Sequence, residues 1–267
     1  KDQKIIDIEV EEQPTGEISL AAGFGTTGAS LGGGIKENNF LGKGIILNTA
    51  LIVSENRIDG SFSYVKPNFR NSDNALITSV KSTTTDNLKD FGYKSKNIGF
   101  SLGSSFQQYE NTLITPTVVF DYEDMETNAA ASTNLKKQKG SYTDAYFNYT
   151  IDYDLRDQKY QTTEGSRTIW TQRIPVYSES YELVNGITHS IFTPITNDIV
   201  GRVSVYSRAI NAISSDKDVR VSRRLFVPAS KLRGFESGKI GPIDNGSYVG
   251  GNYVTTLNAA ASLPNFL

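Results

Sequence analysis

Between residues 144 and 156, Ala145, Phe147, Tyr149, Ile151, Tyr153 and Leu155 alternate with Asp144, Asn148, Thr150, Asp152, Asp154 and Arg156. Successive side chains of a strand point to opposite faces, so this segment is a long ribbon with one apolar and one strongly polar face. The same period of two recurs at Ile18, Leu20, Ala22 and Phe24, at Ile58, Phe62 and Tyr64, and at Ile98, Phe100, Leu102 and Phe106. Helical periodicity is almost absent. This pattern constrains the fold more than composition does. A mean hydropathy of -0.35 reads as soluble, yet a transmembrane barrel alternates lipid-facing with lumen-facing residues and averages equally low. No apolar run exceeds the four residues 50–53, far short of the roughly 20 that a membrane helix needs.

Twelve strands are predicted, over 16–25, 28–40, 44–57, 59–69, 74–86, 94–107, 111–124, 141–157, 165–176, 181–194, 199–213 and 247–263. Most exceed the roughly 9–11 residues that cross a bilayer at a tilt. The expected fold is all-β, a transmembrane antiparallel β-barrel whose wet lumen receives Asp144, Asp152, Asp154, Arg202 and Arg208. A soluble sandwich would carry such charges only on its solvent faces, which fits long two-faced strands less well. Short connections at 25–28, 56–60 and 194–198 and longer polar ones at 125–140 and 214–246 predict short turns on one rim and long loops on the other. Tyr64, Phe69, Tyr93, Tyr109, Tyr122, Tyr142, Tyr149, Trp170 and Tyr206 are expected in the aromatic girdles at the two interfaces. Residues 1–13 read as the last strand of a soluble module ahead of the barrel, ended by Gln13 and Pro14.

Side-chain chemistry is sparse. There is no cysteine, so neither a disulfide framework nor a cysteine zinc site exists. With 27 basic against 29 acidic residues, the net charge of -2 gives no field for nucleic acid. His189 is the only histidine and lies in a strand pattern with no nucleophile motif nearby; it is expected to face the lumen or a neighbour. The acids Glu123, Asp124, Asp152, Asp154 and Asp157 lie largely on strands, whereas a calcium site takes six or more oxygens, typically from a loop. Gly32, Gly33 and Gly34 lie in a strand with no helix after them, so they do not form a phosphate loop.

Five segments together resemble the BamA-type outer-membrane protein assembly factors. They are Val10-Glu11-Glu12-Gln13-Pro14-Thr15-Gly16-Glu17-Ile18, Glu37-Asn38-Asn39-Phe40-Leu41-Gly42-Lys43-Gly44, Tyr153-Asp154-Leu155-Arg156-Asp157 with Thr163-Glu164-Gly165, Lys231-Leu232-Arg233-Gly234-Phe235-Glu236-Ser237 with Gly241-Pro242, and Val249-Gly250-Gly251-Asn252. They follow the family's order and spacing across nearly the whole chain. One departure precedes the Arg-Gly-Phe motif, where Leu225-Phe226-Val227-Pro228-Ala229-Ser230 replaces the family's aromatic and diglycine.

The resemblance implies a barrel of the sixteen-strand insertase type, about twelve strands of which are in this chain. The chain is thus expected to be truncated at both ends and not to close as the full barrel does. Residues 1–13 would end a periplasmic POTRA module, and 14–267 would form the partial barrel, with a long loop at 214–246 folded into it. The implied activity is insertion of β-barrel proteins into the bacterial outer membrane without covalent catalysis, cofactor or metal. The implied partners are unfolded β-barrel clients, accessory lipoproteins and outer-membrane lipid. Leu232, Arg233, Gly234 and Phe235 would form the loop motif, Arg233 pairing with a carboxylate on the inner wall. Gly16, Glu17, Ile18, Ser19, Leu20, Ala21, Ala22 and Gly23 would form the strand of a lateral gate that templates the client. Two further readings stay open: a related secretion or autotransporter-assembly barrel, which shares the loop motif, and a passive porin-like barrel, which lacks it.

Overall fold

A computed structural model describes residues 9, 11, 13–25, 28–89, 92–214, 218–236, 238–244 and 246–262. Apart from Glu9, Glu11 and Gln13, the strand expected over 1–13 lies outside them. The strands are β1 (Gly16–Gly25), β2 (Gly28–Phe40), β3 (Ile45–Ser54), β4 (Arg57–Lys66), β5 (Ala75–Asn87), β6 (Tyr93–Tyr109), β7 (Thr112–Thr127), β8 (Gly140–Asp154), β9 (Gly165–Tyr177), β10 (Glu182–Pro194), β11 (Val200–Ala212), the short pair β12 (Ile243–Asp244) and β13 (Ser247–Tyr248), and β14 (Tyr253–Ser262). Twelve of them form one antiparallel sheet in chain order, with β1 and β14 at its two edges. Among the described residues these edges do not pair with each other, so the sheet is open.

Register turns the sequence alternation into two faces. Asp121 lies opposite Asp144, Asn148 opposite Arg173, Thr171 opposite Gly186, and Gly186 opposite Arg208, which makes one continuous polar inner face. On the outer face Ile151 lies opposite Trp170, and Trp170 opposite Ile187. Outer-face apolar side chains are exposed along the whole sheet, from Leu20 (84%) and Phe24 (89%) through Phe62, Phe100 and Phe120 to Leu257 (73%). Water would not tolerate an apolar patch of that extent, whereas hydrocarbon requires it. The largest buried side chains, Tyr146 and Met125, lie instead on the inner face, beneath the loops.

Several expectations need correction. The meander puts the 25–28 and 55–56 turns on the same rim as the 125–140 and 214–246 segments, and only 194–198 lies on the opposite rim. In an up-and-down sheet the rim is set by whether a connection has odd or even rank, not by its length. Tyr93, Tyr142 and Tyr206 are not girdle residues. All three face inward: Tyr93 and Tyr142 pack on the rim cluster, and Tyr206 lies under Arg208 and Lys231. His189 meets a neighbour, as expected, and does so on the outer face, its Nδ1 2.8 Å from Thr168 Oγ1 on the adjacent strand. The last strand starts at Tyr253 rather than 247, because Val249 N donates to Pro242 O and Gly251 bridges Leu225, which ties this stretch to the loop.

Candidate functional site

The first candidate is the edge strand β1. It pairs with β2 on one side only, Glu17 opposite Lys36 and Ala21 opposite Gly32. Glu17, Ser19, Ala21 and Gly23 share the inner face, and Ile18, Leu20, Ala22 and Phe24 the outer one. Every side chain from Glu17 to Phe24 is exposed. Across from it on β2, a Cβ at Gly34 would lie 3.1 Å from Ser19 Oγ and 3.2 Å from Thr49 O, so glycine there leaves room for the Ser19 side chain and the Thr49 carbonyl. Such an edge presents a row of backbone donors and acceptors to another strand.

The second is the long connection between β11 and β14, and it is built around arginines. Residues 218–225 run over the inner wall where β7 ends and β8 and β10 begin. Val221–Arg223 is one 3-10 turn, with Arg220 capping its start. In that geometry residues i and i+3 eclipse, so the Arg220 and Arg223 side chains point the same way.

Arg220 Nη1 donates to Glu123 Oε2 at 3.3 Å, its Nη2 donates to Asp144 Oδ2, and its Nε lies 3.8 Å from Glu182 Oε1. Its backbone N–H donates to the same Glu182 oxygen at 2.8 Å. Arg223 Nη1 reaches Asp121 Oδ2 at 3.2 Å, its Nη2 reaches Asp144 Oδ2 at 3.3 Å, and its Nε lies 3.5 Å from Glu123 Oε2. The Arg220 guanidinium also stacks 4.5 Å over the Tyr142 ring. Arg220 is 3% exposed and Asp144 0%. Ser178 Oγ holds the other Asp144 oxygen at 2.6 Å. A Cβ at Gly99 would lie 2.5 Å from Asp121 Oδ1, so glycine there leaves the carboxylate room.

Burial works against charge on both guanidiniums, and Arg223 adds repulsion on Arg220. The Asp144 hydrogen bond and the Glu182 and Asp144 charges outweigh this and hold Arg220 above the usual arginine range; for Arg223 the surrounding Glu123, Asp121 and Asp144 charges do the same. Beside this cluster, Met125, Ala131, Leu135, Val221 and Val249 form an apolar core at the rim. It is organised by a helical turn, α1 (Thr133–Lys137), whose Ser132 cap accepts from Leu135 N at 3.3 Å. Val221 N donates to Gln138 Oε1 at 2.8 Å, so the two loops lock together.

Leu232, Arg233, Gly234 and Phe235 lie elsewhere. Gly234 has φ +84, the left-handed backbone of a tight turn. Arg233 is exposed, forms no ion pair among the described residues, and Phe235 is 58% exposed. Most of the acids considered for calcium already have partners: Arg167 grips Asp152 at 2.9 and 2.6 Å, Arg156 grips Asp154 at 2.8 and 2.7 Å, and Asp157 accepts from Thr163 Oγ1 at 2.6 Å. Arg220 and Arg223 were not singled out from sequence. The available signal was a trio of arginines, Arg220, Arg223 and Arg224, in the long connection, together with inward-parity acids on the strand ends at its own rim.

A sequence profile of the Omp85 superfamily domain matches residues 39–267. Among solved structures, BamA from Haemophilus ducreyi lacking POTRA domains 1-3 superposes with a TM-score of 0.82 at 20% identity, over 96% of this chain and 55% of that one. CdiB from Escherichia coli gives 0.62 at 13% identity, over 97% and 50%, and CdiB from Acinetobacter baumannii 0.58 at 13%, over 94% and 46%. The chain thus spans about half the length of these structures. At such identities the likeness is one of fold: the open twelve-stranded sheet is similar to part of each of these structures.

Proposed function

The chain belongs to the Omp85 superfamily, whose barrels reside in the bacterial outer membrane and serve transport and assembly rather than enzymatic catalysis, and on that footing we propose that it is the barrel portion of a BamA-type insertase. It folds and inserts β-barrel proteins by offering β1 as a template to an incoming client strand. The observation that carries this reading is β1 itself, a sheet-edge strand paired on one side whose inward residues after Glu17, namely Ser19, Ala21 and Gly23, are small. Main-chain hydrogen bonds do the recognising, so no side-chain chemistry is required. The higher TM-score to BamA than to the two CdiB barrels favours this reading over the secretion barrel.

In this account unfolded outer-membrane β-barrel proteins are the clients and the surrounding lipid is the medium of transfer. Accessory lipoproteins of the assembly complex are its further partners. A porin-like barrel is the second reading, and it is separated by conductance through a fixed pore.

The chain has no cysteine of its own, so a cysteine at Ile18 can be tethered cleanly to the strand facing β1 in the assembled barrel. In the full-length protein that tether stops client insertion, and reduction restores it. Insertion at the untethered rate with the disulfide formed rules out templating at β1.

A further inference from the structure

Two arginines ahead of the Leu-Arg-Gly-Phe segment hold the long connection against the wall. Arg233 and Phe235 are exposed, and Arg233 pairs with no described carboxylate. Ten and thirteen positions earlier in the chain, Arg223 and Arg220 between them reach Asp121 and Glu123 on β7, Asp144 on β8 and Glu182 on β10. Only a planar fork with five donors makes several such contacts at once; an ammonium is a point charge. Among the described residues, no ion pair or side-chain hydrogen bond joins residues 218–225 to the inner faces of β1 to β4. The contacts are therefore confined to one side of the sheet, away from the edge strand.

We propose that Arg220 and Arg223 are the positioning residues of this loop, and that by bridging β7, β8 and β10 they make an anchored wall, leaving β1 to β4 as the wall free to move. The functional half of this inference rests on strand templating at β1; the positional half does not. A latch on the far wall fixes the loop inside the lumen while the templating edge opens and closes, so the loop need not release at each insertion.

The test uses nitroxide labels on cysteines at Lys239, exposed on the loop, and Thr143, exposed on the outer face of β8, in the full-length protein in lipid, with client insertion measured in parallel. Arg220→Gln combined with Arg223→Gln is expected to broaden a narrow distance distribution and shift the docked-to-undocked ratio by about a hundredfold or more, the scale of breaking buried ion pairs. Arg167→Gln, whose Asp152 partner lies toward the opposite rim, should leave the distribution narrow. Asp144→Asn approaches the same latch from the wall, so a folding failure of the arginine variants does not remove the test.

A narrow distribution in both the double-arginine and the Asp144 variants overturns the proposal, as does equal broadening in Arg167→Gln. A parent protein that inserts no client counts against the insertase reading, whereas broadening with normal client insertion upholds the positioning role and overturns the functional half, that the anchored wall serves insertion. Loss of insertion with a narrow distribution does the reverse.

Discussion

Asp144→Asn isolates the latch in a single atom-for-atom change. The amide keeps the shape and one oxygen for Ser178, but it removes the charge that both Arg220 and Arg223 address. Two charge-assisted hydrogen bonds in a buried site are worth roughly 1.5–3 kcal/mol each, and breaking a buried pair by losing one partner costs about 3–5 kcal/mol. The two routes together give about 3–6 kcal/mol against the docked loop, a factor of roughly 10²–10⁴ in its opening equilibrium. Hydrogen exchange reads this at the Val221 and Arg220 amides, which donate to Gln138 on the neighbouring loop and to Glu182 on the wall. Their protection should fall by that factor, while amides in the middle of β6 and β7 keep theirs. Asp152→Asn serves as control, because its Arg167 partner is more than one-third exposed and such a pair is worth about 0–1 kcal/mol. Protection at Val221 and Arg220 within threefold of the parent in Asp144→Asn would refute the claim that these contacts hold the loop.

Two further outcomes follow from the same geometry. Leu135→Ala opens the rim core formed with Met125, Val221 and Val249 and should cost about 2–5 kcal/mol of local stability, seen as earlier proteolysis of residues 125–140 with the barrel's heat-resistant migration intact. Asp157, at the opposite rim, is held below the usual carboxylate range first by the Thr163 hydroxyl and then by the Glu164 and Thr163 backbone amides. Its folded value lies under its unfolded one, so the order it lends the 155–164 turn is complete above the ordinary carboxylate range and lost as pH falls through the depressed value. A spin label at the exposed Tyr160 should therefore stay restricted down to mildly acidic pH and loosen below it, and Asp157→Asn should remove that pH dependence.

Strand existence and face were legible because one physical rule governs both. The 144–156 alternation fixed an inner and an outer set, and register then carried the same assignment to Arg173, Gly186 and Arg208. Boundaries were less legible where turn residues also suit strands: Ile58, Asp59 and Gly60 were expected in a turn and lie within β4, the turn falling at residues 55–56. Tyr146 shows what periodicity hides. It occupies a polar-face position, and only the loop folded over it explains why so large a ring is 1% exposed. The latch was the least legible feature, because its partners are far apart in sequence, Arg220 and Glu123 97 positions from each other. What brings them together is the shared rim of β7, β8, β10 and the connection after β11. A motif search pointed instead to Arg233, ten residues beyond Arg223 and exposed.

The central claim is that β1 pairs with the client as a strand. Photocrosslinking residues placed one at a time from Glu17 to Gly23, in the full-length protein during client assembly, test it directly. A client paired edge to edge lies beside every position, so crosslinks should form at inward Glu17, Ser19 and Ala21 and equally at outward Ile18, Leu20 and Ala22, with client partners stepping in a single antiparallel or parallel register. A client that merely traverses the lumen would label the inward set alone, and absence of crosslinks from β1 would place recognition elsewhere; either result contradicts the account.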